Sequence, residues 1–165
     1  MKRVFLISLT AILMATSQAV VQAAAPPDDR GALLGVKTGK GVFDINTKEV
    51  DKLTLYLQVI KETQEGLKKQ RVKPDLIVAF RGASVRFVSK ERDDFTTEEQ
   101  ENLLETDEMI SELSKAGVRF EACAIATRLY NINNKSILPA VRVVGNTFIS
   151  LIGYQSKGYN LIPIY

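Results

Sequence analysis

The amino-acid sequence predicts a single α/β domain, a three-layer α/β/α sandwich around a mainly parallel, five-stranded sheet. Three observations predict it. Short apolar runs of strand character alternate with helical patterns along the chain, the order expected of repeated β–α units. DLIVAF, Asp75 to Phe80, is apolar almost without a break, which suits a central parallel strand covered on both faces. Two long segments repeat apolar residues at helical spacing with charges between them, which suits helices packed against a sheet.

The chain begins MKR, follows with the apolar run VFLISLTAILMA, and closes the segment with small residues at Val21-Gln22-Ala23. This is the order of a secretory signal peptide, and the apolar run is shorter than the roughly 20 residues needed to span a bilayer. Residues 1–23 are therefore expected to be a signal peptide cleaved after Ala23, placing the mature protein in the periplasm or otherwise outside the cytoplasm, with no stable membrane span. Ala24 to Gly39, AAPPDDRGALLGVKTG, is expected to be a flexible N-terminal segment, and residues 40–165 the folded domain. GALLGVKT is no phosphate loop, because Val36 stands where glycine is required and no strand precedes it.

GVFDI, Gly41 to Ile45, reads as the first strand. Asn46 precedes Glu49 at capping-box spacing, and Val50, Leu53, Leu57, Ile60 and Leu67 then mark an amphipathic helix. Pro74 introduces the DLIVAF strand, and RGASVRFVSKER is expected to hold a short helical turn. Thr96 with Glu99 forms a second capping box, opening a helix that closes at Lys115-Ala116-Gly117. Its apolar side is Leu103, Ile110 and Leu113, with Leu104 and Met109 beside them. VRFEA, Val118 to Ala122, is the third strand and CAIATRLY a short helix. AVRVV, after Pro139, is the fourth strand. Asn146-Thr147 is expected to cap a helix interrupted by Gly153 and closed by Gly158. YNLIPIY then supplies the last strand, with Pro163 at an edge or strand end.

Charge and composition exclude several functions. Without Lys2 and Arg3 the net charge falls from +3 to +1, and basic residues are interleaved with acidic ones. No basic patch with aromatic interleaving favours a nucleic-acid partner. There is no histidine, so Ser-His and Cys-His catalysis and thiol–imidazole zinc sites are excluded. Neither a metal nor any other cofactor is expected. Tyr130, Tyr154 and Tyr159 are read as packing or interface residues.

Cys123, the one cysteine, falls where the third strand meets a helix, beyond the carboxyl end of a parallel strand, where such sheets bind ligands. Free N–H groups of the helix start favour a thiolate there; Arg128 lies five residues on, and Arg81 and Arg86 follow the neighbouring strand end, so each is a candidate to add positive potential. The opposite reading is a buried, inert cysteine.

The stretches GVRFEACAIATRLYNI and LPAVRVVGNTFISLIGYQSKGY resemble the DsrE/DsrF family of small sulfur-metabolism proteins. That family has a "GVxFxxC" strand, a short helix, an "LPGVxxV" strand and a helix ending "LQxxGY". Gly117, Val118, Phe120 and Cys123 answer the first motif, and Leu138-Pro139, Val141 and Val144 the second. Gln155, Gly158 and Tyr159 answer the third. VAFRGASVRFVS is similar to the family's strand and glycine turn, with Phe80 and Arg81 replacing the more familiar histidine and glycine. The resemblance implies a cysteine at position 123 that carries persulfide sulfur and passes it to a partner thiol, in a homo-oligomer such as a trimer or hexamer. Arg81, Arg128 and Asn131 are then candidates to stabilise the persulfide, with Asn133 and Asn134 along its approach. The alternative function is a non-enzymatic oligomeric module that binds a small anion or sulfur compound in the same crevice.

Overall fold

Alternating valine, isoleucine and phenylalanine give the inner strands two apolar faces, and helices cover both. The computed structural model describes residues 27–165; the expected signal segment, 1–23, lies outside them. In chain order the elements are α1 (Arg30–Leu33), β1 (Thr38–Ile45), α2 (Val50–Lys69), β2 (Lys73–Phe80), a 3₁₀ helix (Gly82–Val88), α3 (Thr97–Lys115), β3 (Arg119–Cys123), α4 (Ala124–Leu129), a 3₁₀ turn (Asn134–Ser136), β4 (Val141–Val144), α5 (Thr147–Ser156) and β5 (Asn160–Ile164). The strands form one sheet in the order β4-β3-β2-β1-β5, every neighbouring pair parallel. DLIVAF lies in the central strand, and Pro163 lies in an edge strand, where its missing N–H breaks no outer ladder.

On one face, Phe43, Ile45, Leu76, Val78, Phe80 and Phe120 meet Leu53, Leu57 and Ile60 of α2 and Leu103, Ile110 and Leu113 of α3. α2 and α3 are joined by a partly buried hydroxyl pair, Thr54–Thr106 at 3.0 Å, and by Gln64, which donates to the Ala116 carbonyl at 3.0 Å. The opposite face carries a smaller cluster: Val42, Ile77, Ala79, Leu151 and Tyr159, with Tyr154 packed against it. Leu151 and Tyr154 come from α5, which touches β1, β3 and β5. Among the described residues, no helix is long and apolar enough to cross a membrane.

Local chemistry explains the ends of α3. Thr96 Oγ1 accepts from the Glu99 N–H and the Glu99 carboxylate accepts from the Thr96 N–H, closing the expected capping box. At the other end Gly117 takes φ +98°, with Gly117 N–H on the Ser114 carbonyl and Val118 N–H on that of Leu113. This is the left-handed helix stop that glycine adopts without a Cβ penalty.

Several boundaries differ from the sequence reading. β1 starts at Thr38, because its outer end extends alongside Lys73 and Pro74 of β2. The N-terminal segment holds the single turn α1, and the Asp29 N–H donates to Gln70 Oε1 at 2.9 Å. α2 starts one turn later than Asn46 predicted: Glu49 is its N-cap, with no side-chain cap, and the Glu49 N–H is held by Thr47 Oγ1 at 3.1 Å. Asn46 is used elsewhere, as described below. Leu104 is exposed rather than part of the apolar side of α3, since it faces away from the Leu103–Ile110–Leu113 stripe. α5 runs unbroken through Gly153, which a helix tolerates at modest cost.

Candidate functional site

Parallel pairing puts all five strand ends on one edge of the sheet, and the turns that follow them meet there. Cys123 is the last residue of β3 and the N-cap of α4. Its register partner is Val144, the last residue of β4. From Val144 the chain turns through Gly145 and Asn146, whose side chain accepts from the Phe148 N–H at 2.9 Å, and enters α5 at Thr147. Two helix starts therefore converge on one sulfur.

Cys123 is 5 % exposed, so the thiol is buried in this protomer rather than open to solvent. Burial pushes its pKa up, but donors outweigh burial and hold it below the usual thiol value. They are the Thr147 hydroxyl and the backbone N–H groups of Thr147, Ala126 and Ile125. Sequence reasoning found the α4 donors and missed Thr147, which lies 24 residues further along the chain. Adjacent strand ends in a parallel sheet were the signal that pointed to it.

Arg81 directly follows β2, and one further step of the β2–β3 register sets its backbone beside Cys123. Its guanidinium reaches to β1, where Nε and Nη2 donate to Asp44 at 2.6 and 2.9 Å. Asp44 is buried, and the hydrogen bonds it accepts raise the Arg81 pKa above its ordinary value against the opposing effect of burial. With its amide oriented to satisfy both partners, Asn46 accepts from Arg81 Nη1 at 3.1 Å and donates to the Arg81 carbonyl at 3.3 Å. The guanidinium also stacks on Phe148 and Tyr165, 5.5 and 5.8 Å from their ring centroids. Gly82, at φ +56°, lies so close to Asn46 that a Cβ would collide with the amide. Arg81 is thus a neutralised anchor of the strand ends, stacked on Phe148, the neighbour of Thr147.

The other candidates stand apart from the sulfur. Arg128 is exposed in the last turn of α4, at the opposite end of that helix from Cys123. Asn131 takes φ +55° as the left-handed stop after α4 and lines a cavity of about 380 Å³ whose lining includes Arg86, Phe95 and Tyr130 but not Cys123. Arg86 stacks on Phe95 at 4.7 Å. Asn133 and Asn134 make local turn bonds, accepting from the Lys135 N–H at 3.0 Å and from Thr127 Oγ1 at 2.6 Å.

A polar network continues down the α5 face of the sheet. Glu121, 2 % exposed, accepts at Oε1 from Arg142 and from the Tyr154 hydroxyl, each at 2.6 Å, while Oε2 has no partner among the described residues. Burial, and then the carboxylate that its hydroxyl serves, push the Tyr154 pKa up to about 12, so it remains a donor at neutral pH. Arg119 bonds Asp75 and the Tyr159 hydroxyl, each at 2.6 Å, and Tyr159 donates to Asp75 at 2.7 Å. Burial raises the Asp75 pKa, but the Tyr159 hydroxyl and the Arg119 guanidinium together bring it below the usual carboxylate value.

Comparison with known proteins bears on this arrangement. The profile of the DsrE/DsrF-like family matches residues 40–164. An uncharacterized protein of Aquifex aeolicus (strain VF5) is 27 % identical over 125 residues, which cover 75 % of this chain and 55 % of that protein. The similarity therefore spans little more than half of the relative's length. Two solved structures share the fold. MTH1491, a protein of unknown function from Methanobacterium thermoautotrophicum, has a TM-score of 0.61 and 19 % identity over 76 % of this chain and 98 % of its own. The ychN protein from E. coli has a TM-score of 0.57 and 15 % identity, covering 76 % of this chain and 99 % of its own.

Proposed function

Because this chain belongs to the DsrE/DsrF-like family, we propose that it is a sulfur-trafficking protein that carries persulfide sulfur on Cys123 and yields it to a partner thiol. The observation that supports this reading most directly is the set of donors from two helix starts around a single sulfur, which favours a charged thiolate or persulfide despite burial. The Cys123 thiolate attacks a sulfane sulfur of a polysulfide, forming an S–S bond while the shortened polysulfide leaves as an anion. An acceptor thiolate then attacks the outer sulfur, taking it as a new persulfide and releasing the Cys123 thiolate. Neither step needs histidine or an external oxidant. Access requires local opening of the turns that bracket the sulfur, the kind of motion that loop-terminal segments undergo below the global unfolding energy.

Intact-mass measurement after polysulfide or thiosulfate exposure tests the reading. The wild-type protein is expected to gain the mass of sulfur, lose it to an added thiol, and show neither change as Cys123→Ser. No gain of mass in the wild type, or the same gain in both proteins, would refute the carrier role. The burial of Cys123 favours the second reading, an oligomeric module that binds a small anion or sulfur compound without covalent uptake. Ligand binding retained in Cys123→Ser would favour that module. The same spectra test the proposed export: a chain beginning at Ala24 is expected, and intact Met1 on protein from its native compartment would exclude signal cleavage.

The proposal includes a homo-oligomer, a trimer or hexamer. α5 supports it, since TFISLIGYQS carries no charge and exposes Phe148, Ile149 and Ile152 to the outside. Sedimentation equilibrium is expected to give a multiple of the protomer mass, and Ile149→Lys with Ile152→Lys to lower it. A wild-type monomer at tens of micromolar would exclude the oligomer.

A further inference from the structure

We propose that Tyr154 is a positioning residue for Cys123: its hydroxyl pins α5 to Glu121 on β3 and so holds Thr147 over the sulfur. The inference rests on the reading of Cys123 as the reactive thiol.

Arg119, Glu121 and Cys123 alternate along β3, so their side chains leave the same face of the sheet. α5 returns along that face from the strand-end edge. Its first residue, Thr147, is 1 % exposed and meets the sulfur, and Tyr154, about two turns on, meets Glu121 at 2.6 Å. The two attachments therefore fall on one side of the helix and on two same-face residues of one strand. The other contacts of α5 are made by side chains along its length: Phe148 under the Arg81 guanidinium and the Tyr154 ring against Tyr159. Leu151 is its one fully apolar anchor in the smaller cluster, and its outward residues Phe148, Ile149 and Ile152 are exposed. A helix this short is marginal without tertiary contacts. A hydrogen bond to a buried carboxylate, whose second oxygen has no partner among the described residues, is a strong and directional tether in such a setting.

The charges on this face make the role separable from simple electrostatics. Glu121 is paired with Arg142, Asp75 with Arg119, and Asp44 with Arg81. Removing the neutral Tyr154 hydroxyl leaves all three pairs in place. The ring, edge-on to Tyr159 with centroids 5.3 Å apart, also remains in Tyr154→Phe. Any change at Cys123 then reports helix position.

The test is the rate of Cys123 alkylation across pH on the full mature chain, read as the midpoint of the profile because a loosened helix also changes access. In Tyr154→Phe the midpoint is expected to rise by about one unit, in the same direction as in Thr147→Val. Glu121→Gln keeps an acceptor for the hydroxyl and removes a negative charge, so its midpoint is expected to stay or fall. An unchanged midpoint in folded Tyr154→Phe, or an equal rise in Glu121→Gln, overturns the proposal. Loss of the native near-UV circular dichroism in Tyr154→Phe would assign the residue to the fold alone and overturn it as well. Absence of sulfur uptake in the wild type refutes the carrier reading instead and leaves the midpoint comparison intact.

Discussion

Asp44→Ala is expected to lose about 3–5 kcal/mol of folding stability, the cost of leaving one member of a buried ion pair without its partner. Asp44 is 3 % exposed and takes two hydrogen bonds from Arg81, whose own side chain is largely enclosed by Asn46, Phe148 and Tyr165. Removing the carboxylate strands a guanidinium that cannot shed its proton. The loss should appear as a lower urea midpoint with an unchanged slope. Asp44→Ala with Arg81→Met is expected to recover much of it, since no charge is then left unpaired. A single-variant loss below about 1 kcal/mol, typical of an exposed pair, would show that the pair does not hold the strand ends together.

Thr147→Val should have the largest effect on the thiol itself. The substitution keeps the β-branched shape and the backbone N–H but deletes the hydroxyl that donates to Cys123. Burial then dominates, and the thiol pKa is expected to rise past its ordinary value near 8.5, slowing alkylation and sulfur uptake at neutral pH. Stability responds with a definite sign. A folded-state thiol pKa below the unfolded value contributes stability that is present above the unfolded pKa and lost as pH falls through the folded one. The wild-type protein should therefore gain on Cys123→Ser as pH rises toward about 9. Thr147→Val should show no such gain. If its alkylation midpoint matches the wild type, the hydroxyl does not govern the sulfur.

Much of the fold was legible residue by residue. DLIVAF announced a strand covered on both faces, and the structure places it at the sheet centre. Thr96 and Glu99 announced the start of α3, and Gly117 its end. Asn46 shows where local reading stops: it has capping chemistry at capping spacing, yet the ends of β1 and β2 bring Arg81 to its amide, and α2 starts without it. Leu104 fails differently, since its neighbour Leu103 takes the buried position and a helix turned by one residue faces solvent.

The sequence by itself determined the elements, the alternation that makes the sheet parallel, and the place of Cys123 at a strand-to-helix junction, because those signals repeat over two to four residues. The tertiary structure alone decided what surrounds the sulfur. Strand order and register set β4 beside β3, so the start of α5 donates to a cysteine 24 residues earlier. They also set β1 beside β2, so Arg81 is spent on Asp44, 37 residues away, rather than offered freely to the thiol. Such contacts follow from which strand ends become neighbours when the whole sheet closes over its core, and no local spacing encodes that choice.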